Sequence, residues 1–171
     1  MASQNVLAWL AVAISVAALA VTWVISARQL RSMRSANHLP VAIELLIRDY
    51  GRPDFQQSER RMLRELPDMD PADGISGLPE DLLSEALRVI AFYDSMGIVV
   101  AFGCVEETLI LASINFRIRR IWRILEPFIR AERDKRQGPF LDFLEDLAAR
   151  AHATDPQRLH ERLGLREMPV T

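Results

Sequence analysis

Tyr93 and Asp94 are the residues in this chain whose types and setting most invite chemistry. Between Val89 and Val105, Asp94 carries the only charge. A carboxylate in such surroundings needs a partner, because an unpaired buried charge is costly. An arginine from the basic stretch 117–136 can supply one. The candidate buried polar pair Tyr93 and Asp94 then has two readings. It is polar glue inside a core, or it holds the acid of an active site, since ion-pair networks and catalysis perturb side chains alike.

The basic stretch is the second set: eight Arg or Lys stand against Glu126, Glu132 and Asp134. At helical spacing Arg119, Arg123 and Arg130 fall on one side together with Glu126. They form a candidate basic interaction face. Such a face can meet anionic lipid, nucleic acid, or the acidic 54–85 region of the same or another subunit. A face that is merely solvated is the plain alternative.

Other chemistry finds little support. His38, His152 and His160 are scattered, and no E-x-x-H pair suits a carboxylate-bridged metal pair. There is no G-x-x-x-x-G-K-[ST] or G-x-G-x-x-G loop, and neither Ser95 nor Ser113 sits in a nucleophile-elbow context. No cofactor or metal is expected, and no enzyme. The net charge of -2 argues against a nucleic-acid binder.

What must position these residues begins with residues 6–26, VLAWLAVAISVAALAVTWVIS, which contain no charge. At about 1.5 Å per residue the run is long enough for a hydrocarbon core of about 30 Å. Residues 1–5 hold no Lys or Arg, whereas Arg28, Arg31 and Arg34 follow in the basic juxtamembrane segment 27–35. Basic residues beside a span stay cytoplasmic, so the expectation is an outside tail at 1–5 and a cytoplasmic domain. A cleaved signal peptide fits less well, lacking a basic start and an A-x-A site. Small residues at Ala8, Ala11, Ser15, Ala18 and Thr22 could let two spans approach, but a segment rich in alanine gives such stripes by composition.

Beyond the span about 145 residues remain, enough for one domain with a core. The single Cys104 allows no internal disulfide. Helices are expected over 36–50, from Pro53 to Leu66, from Pro79 to Gly103, over 105–137, and from Phe140 to Ala153. Residues 67–78 read as an acidic, solvated connector. The 79–103 segment is apolar enough to raise a second span, but Asp94 near its middle favours a buried core helix. Ser113 and Asn115 are expected to interrupt the 105–137 helix and Pro127 to bend it. A short helix near 155–164 and a fraying end complete the tail 154–171. The fold class expected is all-α: one N-terminal transmembrane helix followed by a cytoplasmic bundle of about five helices over 36–153, built on the 79–103 and 105–137 hairpin.

The stretch IAFYDSMGIVVAFGCVEETLI, followed by Trp122, Pro127, Ile129 and Arg133 in a W-x-x-x-x-P-x-I-x-x-x-R pattern, resembles an uncharacterised family of small bacterial proteins with one N-terminal span. That resemblance, over roughly residues 36–150, implies a helical domain of unknown function at a membrane and no catalytic residues. The expected partners are the bilayer, through residues 6–26, and an unknown protein or a second copy. Anionic lipid is a further possible contact. The alternative is a membrane-proximal enzyme acting on a lipid or nucleotide at an Asp94/arginine face. An enzyme should gather Asp94 or Tyr93 with several arginines in a cleft, and an interaction module should instead expose a patch.

Overall fold

A computed structural model describes residues 22–23 and 50–166. The expected span at 6–26 (apart from Thr22 and Trp23), the arginines at 28, 31 and 34, the helix over 36–50 (apart from Tyr50) and the last five residues lie outside the described residues. The described fold belongs to the second of two compact units, which divide between Leu39 and Pro40. It is all-α, with five helices.

Helix α1 (Pro53–Glu65) starts on a proline, whose missing N–H costs nothing in a first turn. Phe55 and Met62 are buried, and Gln57, Arg60 and Arg64 are exposed, as the helical period requires. Ser58 and Glu59 are buried with them. Residues 67–78 expose Asp68, Asp70 and Asp73, as expected of an acidic connector, but they are not irregular. They fold as three short 3₁₀ turns that bury Ile75 and Leu78 and lie against the end of the long helix α3. Gly74 makes that approach possible: at φ 64° it takes the left-handed region, and a Cβ there would fall 2.6 Å from the Glu132 carboxylate.

Helix α2 (Glu80–Ala101) follows Pro79, with Glu80 and Asp81 in the first turn where the helix dipole favours them. Leu82, Ala86, Val89, Ile90, Tyr93 and Met96 enter the core. The helix is not apolar on all sides against protein, since Leu87 and Ile98 are exposed. Among the described residues no helix is long and apolar enough to cross a membrane. Gly103, at φ 65°, turns the chain into α3 (Glu107–Arg136). Ile114, Ile118, Ile121, Leu125 and Phe128 are buried along one stripe, as their spacing predicts. The helix breaks where Ser113 and Asn115 suggested: Ile114 sits at φ -138°, ψ 18°, and the Ser113 hydroxyl bonds back to the Leu109 carbonyl. At Pro127, by contrast, the dihedrals stay helical.

Helix α4 (Asp142–Ala153) begins after Leu141, and α5 (Pro156–Leu163) is capped by the Asp155 side chain on the Gln157 N–H. The expected central hairpin is corrected by α4. The closest packing in the fold is α4 on α2, and α4 also lies on α3, whereas α2 and α3 make no comparably close pairing. Small residues decide this: Ala148 and Ala151 are fully buried on α4, and Gly97 on α2 meets its start.

Candidate functional site

Tyr93 and Asp94 are neighbours in sequence, so on a helix they point about 100° apart. The structure gives them separate duties. Tyr93 is fully buried and donates its hydroxyl to Glu59 Oε1 at 2.6 Å. Arg117, from α3, donates to the other oxygen of Glu59 at 3.1 Å and lies over the Tyr50 ring, 4.8 Å from its centroid. Tyr50, Phe55, Phe92 and Tyr93 pack ring on ring around this trio, with Phe55 and Phe92 centroids 4.6 Å apart. Burial raises the Glu59 pKa above its usual range, while the Tyr93 hydroxyl and the positive charge of Arg120 draw it part of the way back. Burial beside Glu59 also raises that of Tyr93. The buried polar pair is therefore Tyr93 with Glu59, rather than the candidate residues Tyr93 and Asp94 together. Glu59 was missed, yet it lies four residues after Phe55 and three before Met62, on the stripe that α1 buries.

Asp94 is half-buried and, among the described residues, meets no arginine. Its carboxylate accepts the Leu144 N–H at 3.0 Å, so a side chain of α2 satisfies an otherwise orphan amide in the first turn of α4. Arg133 secures the same turn, donating to the Phe140 carbonyl at 2.9 Å and pairing with Asp142 and Glu145. A paired core charge would cost about 3–5 kcal/mol on deletion. A cap contributes less, so Asp94→Ala should lower stability by about 1 kcal/mol and Asp94→Asn by less. Chemical denaturation of the three proteins checks this ordering. A loss above about 3 kcal/mol for the alanine variant would restore the buried-charge reading.

The basic face divides. Arg117 pairs with Glu59, Arg130 with Glu126, Arg133 with Asp142 and Glu145, Arg136 with Glu132, and Lys135 with Asp73. Burial alone would raise the Glu132 pKa, but the Ser76 N–H and Arg136 together hold it below its usual range. Among the described residues Arg119, Arg120 and Arg123 have no carboxylate within ion-pair reach. They line an open cleft of about 360 Å³ with Phe116 and His152. Arg119 Nε donates to His152 Nδ1 at 3.4 Å, joining α3 to α4 across it. Arg130 shares the helix face but not the cleft. Phe116, Arg120 and His152 are additions to the expected face. The first two were legible as the i, i+3, i+4, i+7 stripe of Phe116, Arg119, Arg120 and Arg123, and His152 was not, because it arrives from α4.

Two further surface features complete the described domain. A groove of about 520 Å³ crosses Phe55 and Phe92, rimmed by Arg52 and Arg88, and neither Tyr93 nor Asp94 lines it. Near the far end of α2, Ile98 is 36%, Phe102 72% and Phe143 37% exposed, and the two rings lie 6.0 Å apart. Phe143 lies at the edge of the face of α4 that buries Leu144 and Leu147. Among the described residues no group of three or more His, Cys, Asp or Glu could hold a metal ion.

Residues 10–151 match the family described as a domain of unknown function, DUF4760. The chain belongs to that family. The match takes in the helices described here through Ala151 and reaches back over most of the apolar run 6–26. No curated protein and no solved structure matches the chain. For this member of DUF4760, Asp94 and Arg133 fix the start of α4, and the core polar trio ties α1, α2 and α3 together. Among the described residues, Arg119, Arg120 and Arg123 are the cations of α3 without a carboxylate partner.

Proposed function

We propose that this chain is a bacterial, single-span membrane protein whose helical domain is an accessory or regulatory module that binds another protein on the cytoplasmic side. The uncharged run 6–26 and the arginines that follow it support the anchor and its orientation. The observation that carries the interaction reading is the apolar patch of Ile98, Phe102 and Phe143. Large rings that touch each other yet face water are retained at a cost unless a partner covers them. The enzyme alternative required Asp94 or Tyr93 to meet several arginines in a cleft. Asp94 instead caps α4, and Tyr93 is closed inside the core.

Affinity purification of the full chain from native membranes tests the module. A partner in fixed ratio should accompany the wild type and be lost from Phe102→Asp, while Leu87→Asp, at a separate exposed apolar position on α2, should retain it. Retention by the Phe102→Asp protein, or no partner with the wild type, would remove this reading.

A further inference from the structure

The geometry points to the cleft of Phe116, Arg119, Arg120, Arg123 and His152 as a docking site for the phosphates of anionic membrane lipids. Selection among the arginines is the first argument. The other cations that α3 carries through Arg136 are each held by a carboxylate of the same domain, as set out above, so their charge is spent internally. Arg119, Arg120 and Arg123 are within one and a half turns of each other, and three like charges gathered without counter-charges repel one another. Arg120 feels the charge of Glu59 but makes no ion pair with it. Guanidinium groups present planar, fixed donors that suit phosphate oxygens, and a phosphate between them would remove the repulsion.

The second argument separates a membrane from a free phosphate. Phe116 occupies the same stripe and is 74% exposed beside the arginines. A small dissolved anion gives an exposed ring nothing to bury against. The headgroup boundary of a bilayer offers phosphates for the arginines and hydrocarbon for the ring, a combination typical of interfacial docking. Tethering adds to this: with the proposed anchor at 6–26, the leaflet is always at high local concentration, so modest contacts suffice to orient the domain. Each arginine near an anionic leaflet strengthens attachment about fivefold, and the effect fades over a Debye length of about 8 Å at physiological salt.

This inference uses the proposed anchor but not the protein partner, and the test reads anchor and cleft separately. The full chain is reconstituted in lipid discs of phosphatidylcholine alone or with phosphatidylglycerol. Arginine modification by phenylglyoxal is then followed peptide by peptide by mass spectrometry. Arg119, Arg120 and Arg123 should react about fivefold more slowly in the anionic discs, and high salt should abolish the difference. Arg64, exposed on α1, should react alike in both. In the Arg119→Glu, Arg123→Glu variant, Arg120 should lose its lipid-dependent protection. The wild-type footprint decides the matter alone if that variant fails to fold. Equal rates in the two discs would overturn the proposal. So would protection in neutral discs on adding inorganic phosphate that matched the anionic discs, which would make the site one for free phosphate. Co-elution with the discs reports the anchor independently. A chain that failed to insert would still report the cleft through its footprint with the same lipids added as vesicles.

Discussion

Replacing Glu59 with alanine should destabilise the domain by up to about 3 kcal/mol, more than removal of the Asp94 cap. The reason is what remains behind. The Tyr93 hydroxyl, fully buried, would lose its acceptor, and Arg117 would lose its carboxylate partner. The hydroxyl cannot be re-solvated without opening the ring cluster of Phe55, Phe92 and Tyr93, whereas the half-exposed Arg117 keeps its contact with water. Glu59→Gln keeps an acceptor for Tyr93 and removes only the ion pair, so its loss should be clearly smaller. Near-ultraviolet dichroism of the aromatic cluster during denaturant unfolding measures both. Equal losses for Ala and Gln would show that the hydroxyl bond carries no weight.

The same pair of proteins has a pH signature. The folded-state pKa of Glu59 lies above its unfolded value, because burial disfavours the charge. Its contribution to stability is therefore fully present below the unfolded pKa and is lost as pH rises through the folded one. Glu65, Asp81 and Glu132 have the opposite sign: their folded pKa values are lowered, so they stabilise above their unfolded values and weaken the fold as pH falls. The wild type alone mixes these trends. The difference between wild type and Glu59→Gln isolates Glu59, and it should move against the wild type as pH rises from the acid side.

How far the sequence could be read follows from where each signal lies. Helix positions and buried stripes are local, set by period and by Pro and Gly, and the buried stripe of Ile114, Ile118, Ile121, Leu125 and Phe128 follows from that period. The break near Ser113 and Asn115 was local too. What failed was partner choice between elements. Asp94 was given an arginine because charge complementarity is the usual answer, whereas its partner is a backbone amide, and backbone amides carry no sequence signature. The connector 67–78 is solvated at its aspartates, as its acidity suggests, but Glu132, more than fifty residues later, accepts the Ser76 N–H and draws one side of it in. The central helix was misjudged for a similar reason. Adjacent long helices suggest a hairpin, and only the meeting of Gly97 with α4 reveals that α4 takes the closest place.

Gly97→Ala tests that placement with a sharp sign. In the interior of α2 an alanine should gain up to about 1 kcal/mol over glycine through lower backbone entropy cost. Against this, a Cβ at Gly97 would stand 2.2 Å from the Phe143 carbonyl oxygen and 2.5 Å from its carbon. Those atoms are backbone, so no rotamer change relieves the overlap, and the start of α4 must move. That start is held by the Asp94 carboxylate on the Leu144 N–H and by Arg133 on the Phe140 carbonyl. Overpacking commonly costs about 1–3 kcal/mol, and a fixed backbone neighbour puts this site at the upper end, so a net loss of about 2 kcal/mol is expected. Because the displaced turn is the one Asp94 caps, the variant should also weaken that bond. A double-mutant cycle with Asp94→Ala should then give a combined loss smaller than the sum of the two. Strict additivity would mean that α4 yields elsewhere. A Gly97→Ala protein as stable as the wild type, or more so, would show that α2 and α4 do not meet at this glycine.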